Sequence, residues 1–353
     1  MSGKELAKLL DQMQAQLHLD ASQRERLGAG SQTPWWLSGL LGLAAWVSSV
    51  LFILSFLGPW LALIEGTVGR AVAGVLLILA AVYLFRRRQP FTNQMGLALS
   101  LTGHGLLLFV VADRLGSDPD TLRPVALLGL LIATGLLWLP SSFLHRHVCA
   151  LLMLVSTGVL IGSGAALAIY GVALAALACV LWLCRQRWAT HSQAQRIRAL
   201  TDAATLLSLL LALMPHEQLF HHMVEFQMLE AGHWSDAIYP AGVGAVLLGV
   251  VAWLGRRTAG LEYGLALAVS ALVALLSHSA PGLVLSLALA LALFHAGNRT
   301  WLLLMPAFAS FYLFVLYYSL HISLLHKSLL MIACGVVLLA VARFIALRAR
   351  RRA

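Results

Sequence analysis

The sequence predicts an all-α protein, a polytopic transmembrane helix bundle of about 12 spans. Three observations predict it. Of the 353 residues, 60% are hydrophobic and only 11% are charged, against about 25% charged in a soluble domain. Such a chain cannot cover a water-facing surface. The apolar residues fall into runs of spanning length separated by short polar loops, and the Lys and Arg residues concentrate in alternate loops.

The elements follow in order. Residues 1–33 form a cytoplasmic, amphipathic N-terminal segment. Within 3–18, Leu6, Leu9, Leu10, Met13 and Leu17 recur at helical spacing with Lys4, Lys8, Asp11 and Gln14 between them. Residues 19–33 read as a polar linker. The transmembrane helical domain occupies 34–348. Its first span, 35–57, lies in a charge-free run that opens at Pro34, a residue suited to a helix start. Trp35 and Trp36 stand where amphipathic rings anchor at headgroup level. Further spans are expected at 68–85, 94–112, 124–140, 147–162, 165–184, 198–214, 239–255, 260–277, 280–295, 301–318 and 327–347. The stretch 147–184 divides at Gly162-Ser163-Gly164; one undivided helix there would invert every later span. Residues 349–353 form a basic cytoplasmic tail.

Loop charges test this division. With both termini cytoplasmic, 20 of the 24 basic residues lie inside, from Lys4 through the Arg86-Arg87-Arg88 cluster to the tail. Arg70, Arg114, Arg123 and Lys327 remain outside. A wrong span count would mix the two sets. The net charge of +10 therefore reads as membrane topology, not as nucleic-acid binding, because no basic domain exists. Prolines agree: Pro124, Pro240 and Pro281 stand at span starts and Pro140 at an end. Pro306 falls inside a span, near its first turn.

Two hairpins share a pattern. Leu84-Phe85-Arg86-Arg87-Arg88 leads to Gly96-Leu97-Ala98-Leu99, and Leu254-Gly255-Arg256-Arg257 leads to Gly264-Leu265-Ala266-Leu267. A 6+6 duplication would produce this, as in some transporters; so would the abundance of Gly, Leu and Ala.

The opening run, Pro34-Trp35-Trp36 with Gly42 and Trp46, and the closing run resemble the domain-of-unknown-function 4401 family of bacterial polytopic inner-membrane proteins. The closing run comprises Tyr317-Tyr318-Ser319-Leu320, Leu324-Leu325, Lys327-Ser328-Leu329-Leu330, Gly335 and Arg343. The resemblance implies a bacterial inner-membrane location. It also implies a partner, a second membrane protein of the family named for a GDYXXLXY motif. It brings no cofactor and no catalytic residue.

Few residues offer chemistry. His104 lies in mid-span, where ionisable groups are costly and functional by default. Gly103 and Gly105 beside it would admit another helix and supply a hydrogen-bond partner, so His104 reads either as structural glue or as a proton or substrate group. Asp202 pairs with Arg198 at helical spacing, and Glu262 stands near a helix N-terminus; both fit an interfacial role. His295 is similarly near a span edge. The outer-face loop 215–238 carries His221, His222 and Glu225 on one helical face, with metal-ligand chemistry but no closed structural-metal spacing. A polar helix on the outer surface explains the same residues. Lys327 opens the last span on the outer side, either snorkelling to headgroups or pairing with an outer carboxylate. Cys149, Cys179, Cys184 and Cys334 show no CxxC spacing and read as buried packing. No GxSxG, P-loop or Rossmann motif occurs in context.

These features point to a non-enzymatic subunit or scaffold of a membrane complex, with the lipid bilayer as its surroundings and no cofactor. The alternative is a secondary transporter or channel for a small solute, favoured by twelve spans and the hint of duplication.

Overall fold

A computed structural model of the chain describes residues 66–87, 89–116, 122–139, 141–162, 164–213, 237–256 and 260–319, with Val47, Leu51, Ser55 and Arg343 as isolated positions. The described residues form eleven helices and no strand. They are α1 (Thr67–Arg86), α2 (Pro90–Leu115), α3 (Leu122–Trp138), α4 (Phe143–Ile161), α5 (Ala165–Leu183) and α6 (Arg185–Trp188), then α7 (Ala194–Leu213), α8 (Ile238–Gly255), α9 (Leu261–Leu276), α10 (Pro281–Ala296) and α11 (Arg299–Ser319).

The ten predicted spans between 68 and 318 coincide with α1–α5 and α7–α11. Six helices, α1, α2, α4, α5, α8 and α11, are long and apolar enough to cross a membrane. The apolar helices α3, α9 and α10 are shorter, at 17, 16 and 16 residues. α7 carries Arg196, Arg198 and Asp202 near its start. The predicted division at Gly162-Ser163-Gly164 is present: α4 stops at Ile161 and α5 begins at Ala165. Gly162 and Gly164 have φ of 88° and 71°, a left-handed backbone that a β-carbon disfavours and that ends a helix. Apart from those isolated positions, the first and last predicted spans lie outside the described residues, as do the segment 1–33, residues 215–236 of the outer loop and the tail 349–353.

The chain divides into two compact units, Met1–Cys149 and Ala150–Ala353. In the first, α1 and α2 pack along their length as an antiparallel hairpin and α3 packs on α2. Ala73, Gly74, Leu77, Ala81 and Phe85 form the buried stripe of α1. Val68, Val72, Val75, Leu76, Leu79 and Tyr83 on its other side are exposed. A soluble surface rarely carries so continuous an apolar strip; a lipid-facing one requires it.

In the second unit α10 is the central helix, touching α5, α7, α8, α9 and α11. Leu285, Leu289 and Leu293 are fully buried on it, together with Val284, Ala288 and Ala292. A helix apolar on all sides belongs in such a place. α9 lies at the rim with no buried residue. Between helices in lipid the hydrophobic effect gives little, so close contact of small residues does the packing. Gly171 lies against the Tyr239 ring, and Gly242 against Val172.

Candidate functional site

The first unit brings its polar residues together where α1, α2 and the first turns of α4 meet. Small residues make this approach possible. A β-carbon on Gly103 would stand 2.6 Å from the Gly74 carbonyl oxygen, and one on Gly96 would stand 2.9 Å from the Phe85 ring. The two backbones are therefore nearly in contact. Gly103 acts as its position beside His104 predicts. Gly105 does not: it faces open space.

Ser100 and His104 sit one turn apart on α2, so they share a face. Both are buried. α4 adds His145 and Cys149, again one turn apart and buried. Ser100 Oγ lies 2.9 Å from His145 Nε2. The Phe85 ring packs on the His145 imidazole with centroids 4.6 Å apart and planes tilted by 52°. The His145 backbone N–H donates to Ser142 Oγ at 3.3 Å, which helps seat the start of α4.

His145 escaped the sequence reading because the span was expected to begin at 147, which leaves His145 in a loop. α4 in fact begins at Phe143. The spacing His145-x-x-x-Cys149 on an apolar helix was the signal that could have found it.

The geometry limits the chemistry. A serine hydroxyl 2.9 Å from an imidazole nitrogen has the distance of a nucleophile and its base. Such a pair also needs a third group to orient the imidazole, and among the described residues no carboxylate reaches His145. Cys149 Sγ lies 3.6 Å from both ring nitrogens. That equal approach favours neither lone pair, so the thiol packs beside the ring. Among the described residues no group of three His, Cys, Asp or Glu could hold a metal ion. What remains is a hydrogen-bonded plug that ties α4 to α2, with Phe85 of α1 closing one side.

The second unit holds a different polar layer. Asp202 on α7 is nearly buried. Its Oδ1 accepts a 2.8 Å hydrogen bond from Trp301 Nε1 on α11, and its Oδ2 lies 3.7 Å from Arg198 Nε. The expected Arg198–Asp202 pair is present; Trp301 was not foreseen, because nothing in sequence links positions 99 residues apart. Trp182 Nε1 donates to Thr205 Oγ1 at 2.9 Å, joining α5 to α7. Arg185 donates to the Ala296 carbonyl at 2.6 Å, satisfying an end group of α10. Glu262 lies in the first turn of α9 and His295 in the last turn of α10, edge-on to Trp253. Cys149 and Cys179 are buried free thiols and Cys184 is partly so. Lys327, His221, His222 and Glu225 lie outside the described residues.

No curated protein and no solved structure matches this chain. The family described as a domain of unknown function, DUF4401, matches residues 34–348. That match takes in the Pro34-Trp35-Trp36 opening, both polar layers and the closing run at Lys327. The chain belongs to the DUF4401 family.

Proposed function

We propose that this protein is a multi-pass protein of the bacterial inner membrane, with about 12 spans and both termini cytoplasmic. Its role is that of a non-enzymatic subunit or scaffold of a membrane complex. One observation carries the reading: the most polar cluster among the described residues of the first unit is closed on itself. Ser100, His104, His145 and Cys149 are each at most 4% exposed. A solute or proton path needs polar groups that meet water or a cavity. Asp202, the buried acid of the second unit, is likewise engaged by Trp301 and Arg198.

The partner implied by the family is a membrane protein bearing the GDYXXLXY motif. A tagged chain solubilised in mild detergent should co-elute with it at fixed stoichiometry through size exclusion. Elution of the chain alone contradicts the subunit role.

A secondary transporter or channel is the second reading. The observation in its favour is that two imidazoles, His104 and His145, are buried on two different helices of the same unit. Buried imidazoles on separate helices are what a proton relay would use. A 6+6 duplication finds less support: Gly96 lies against Phe85, whereas its counterpart Gly264 faces open space.

A further inference from the structure

The turn between α10 and α11 gathers guanidinium groups from three helices. Arg185 of α6 is held to the Ala296 carbonyl at 2.6 Å, just before the turn. Arg198 of α7 is held to Asp202, which Trp301 grips just after the turn. Arg299, the first residue of α11, lies between these two anchors and is exposed. The turn itself is fixed. Gly297 is left-handed at φ 68°, the Asn298 N–H bonds the Leu293 carbonyl at 3.1 Å, and Asn298 Oδ1 accepts from the Trp301 N–H at 3.3 Å.

We propose that this turn, with Arg185, Arg198 and Arg299 around it, binds the phosphate of an anionic lipid headgroup.

Charge supports an anionic ligand. Arg187, Arg196 and Arg256 stand at the same end of the unit, since Trp253 and His295 bring the ends of α8 and α10 together. Against them, the described acids of this unit are Asp202 and Glu262, and Asp202 already holds Trp301 and Arg198. Residue type supports phosphate. Topology alone is served by Lys as well as Arg, yet the whole sequence has only Lys4, Lys8 and Lys327. The planar fork of Arg matches phosphate oxygens two at a time.

Depth supports a lipid over a soluble phosphate. Trp182, Trp188, Trp253 and Trp301 all lie at this end of the unit, and indoles concentrate at headgroup level. Three of these indoles donate inward, to Thr205, Leu181 and Asp202. Arg299, exposed at the same end, is placed to meet a headgroup.

The test uses the full-length protein in mixed micelles with cardiolipin, phosphatidylglycerol or phosphatidylcholine, with retained lipids counted by native mass spectrometry. The wild type should retain an anionic lipid in preference to phosphatidylcholine. Arg299→Gln should weaken that retention about tenfold, the usual value of one charge-assisted hydrogen bond. Its melting temperature in zwitterionic detergent should not change, since Arg299 is exposed. Arg198→Gln, the second variant, should show the same direction of loss. Equal retention by wild type and both variants overturns the proposal. In a separate arm, millimolar inorganic phosphate without lipid should not raise the melting temperature. A rise equal to that given by anionic lipid would assign the site to a soluble anion and overturn the lipid assignment.

Discussion

Ser100 Oγ and His145 Nε2 lie 2.9 Å apart although 45 positions separate them in the chain. The bond joins mid-α2 to the first turn of α4 and converts two polar residues on apolar helices into a single packed contact. Hydrogen bonds between membrane helices are worth about 0.6 kcal/mol on average and at most about 1.7. Ser100→Ala should therefore lower stability by about 1 kcal/mol, because His145 also loses its partner. Unfolding of the purified protein by titrated denaturing detergent measures this. An unchanged midpoint would show the bond to be without energetic weight.

Gly103 and Gly105 flank the same histidine and should respond differently to alanine. A β-carbon at 103 meets the Gly74 carbonyl at 2.6 Å, a backbone atom that cannot rotate away; at 105 it meets nothing within 4 Å. Gly103→Ala should cost about 1–3 kcal/mol by forcing α1 from α2, and Gly105→Ala should be neutral. Melting temperatures of the two variants, compared side by side, decide it. Equal effects would contradict the packing of this hairpin.

At Asp202 the two oxygens have different tasks, so substitutions should separate them. Trp301→Phe removes the donor to Oδ1 and should cost about 1–3 kcal/mol, as for a bond to a charged group. Asp202→Asn keeps an acceptor for Trp301 and weakens the partly exposed pair with Arg198, which is worth under about 1 kcal/mol. A larger loss from Asp202→Asn than from Trp301→Phe would reverse this ranking.

Gly282 lies under the Tyr312 ring, with a built β-carbon only 2.2 Å from the nearest ring atom. Gly282→Ala should destabilise the contact between α10 and α11 by about 1–3 kcal/mol. Tyr312→Phe should give no relief, because the clashing atoms belong to the ring. Tyr312→Leu removes the ring, so the two penalties should combine to less than their sum. Additive penalties in the Gly282→Ala/Tyr312→Leu double variant would contradict the clash.

The helices were legible in sequence because apolar runs of spanning length have few alternatives, and because Gly162 and Gly164 readily take the left-handed backbone that interrupts a helix. Orientation was expected from Arg placement, which is a property of loops. The cluster around His104 was half legible. Gly103 announced a close approach, but the partner lay beyond a helix boundary misplaced by four residues, which hid His145. Trp301 opposite Asp202 was not legible, since an indole at a span start has the same appearance whether it faces lipid or a carboxylate. Which face a membrane helix buries is weakly written in composition: α10 and α9 are both predominantly apolar, yet one is the centre of its unit and the other its rim.

The central claim, that the His104 cluster packs helices and does not conduct, is tested most directly by proton flux. Wild-type and His104→Gln protein would be reconstituted at equal density into liposomes loaded with a pH-sensitive dye, and an imposed pH gradient followed. A closed cluster predicts that both decay at the rate of empty liposomes. Faster decay in the wild type that His104→Gln abolishes would contradict the scaffold reading and establish the relay in its place.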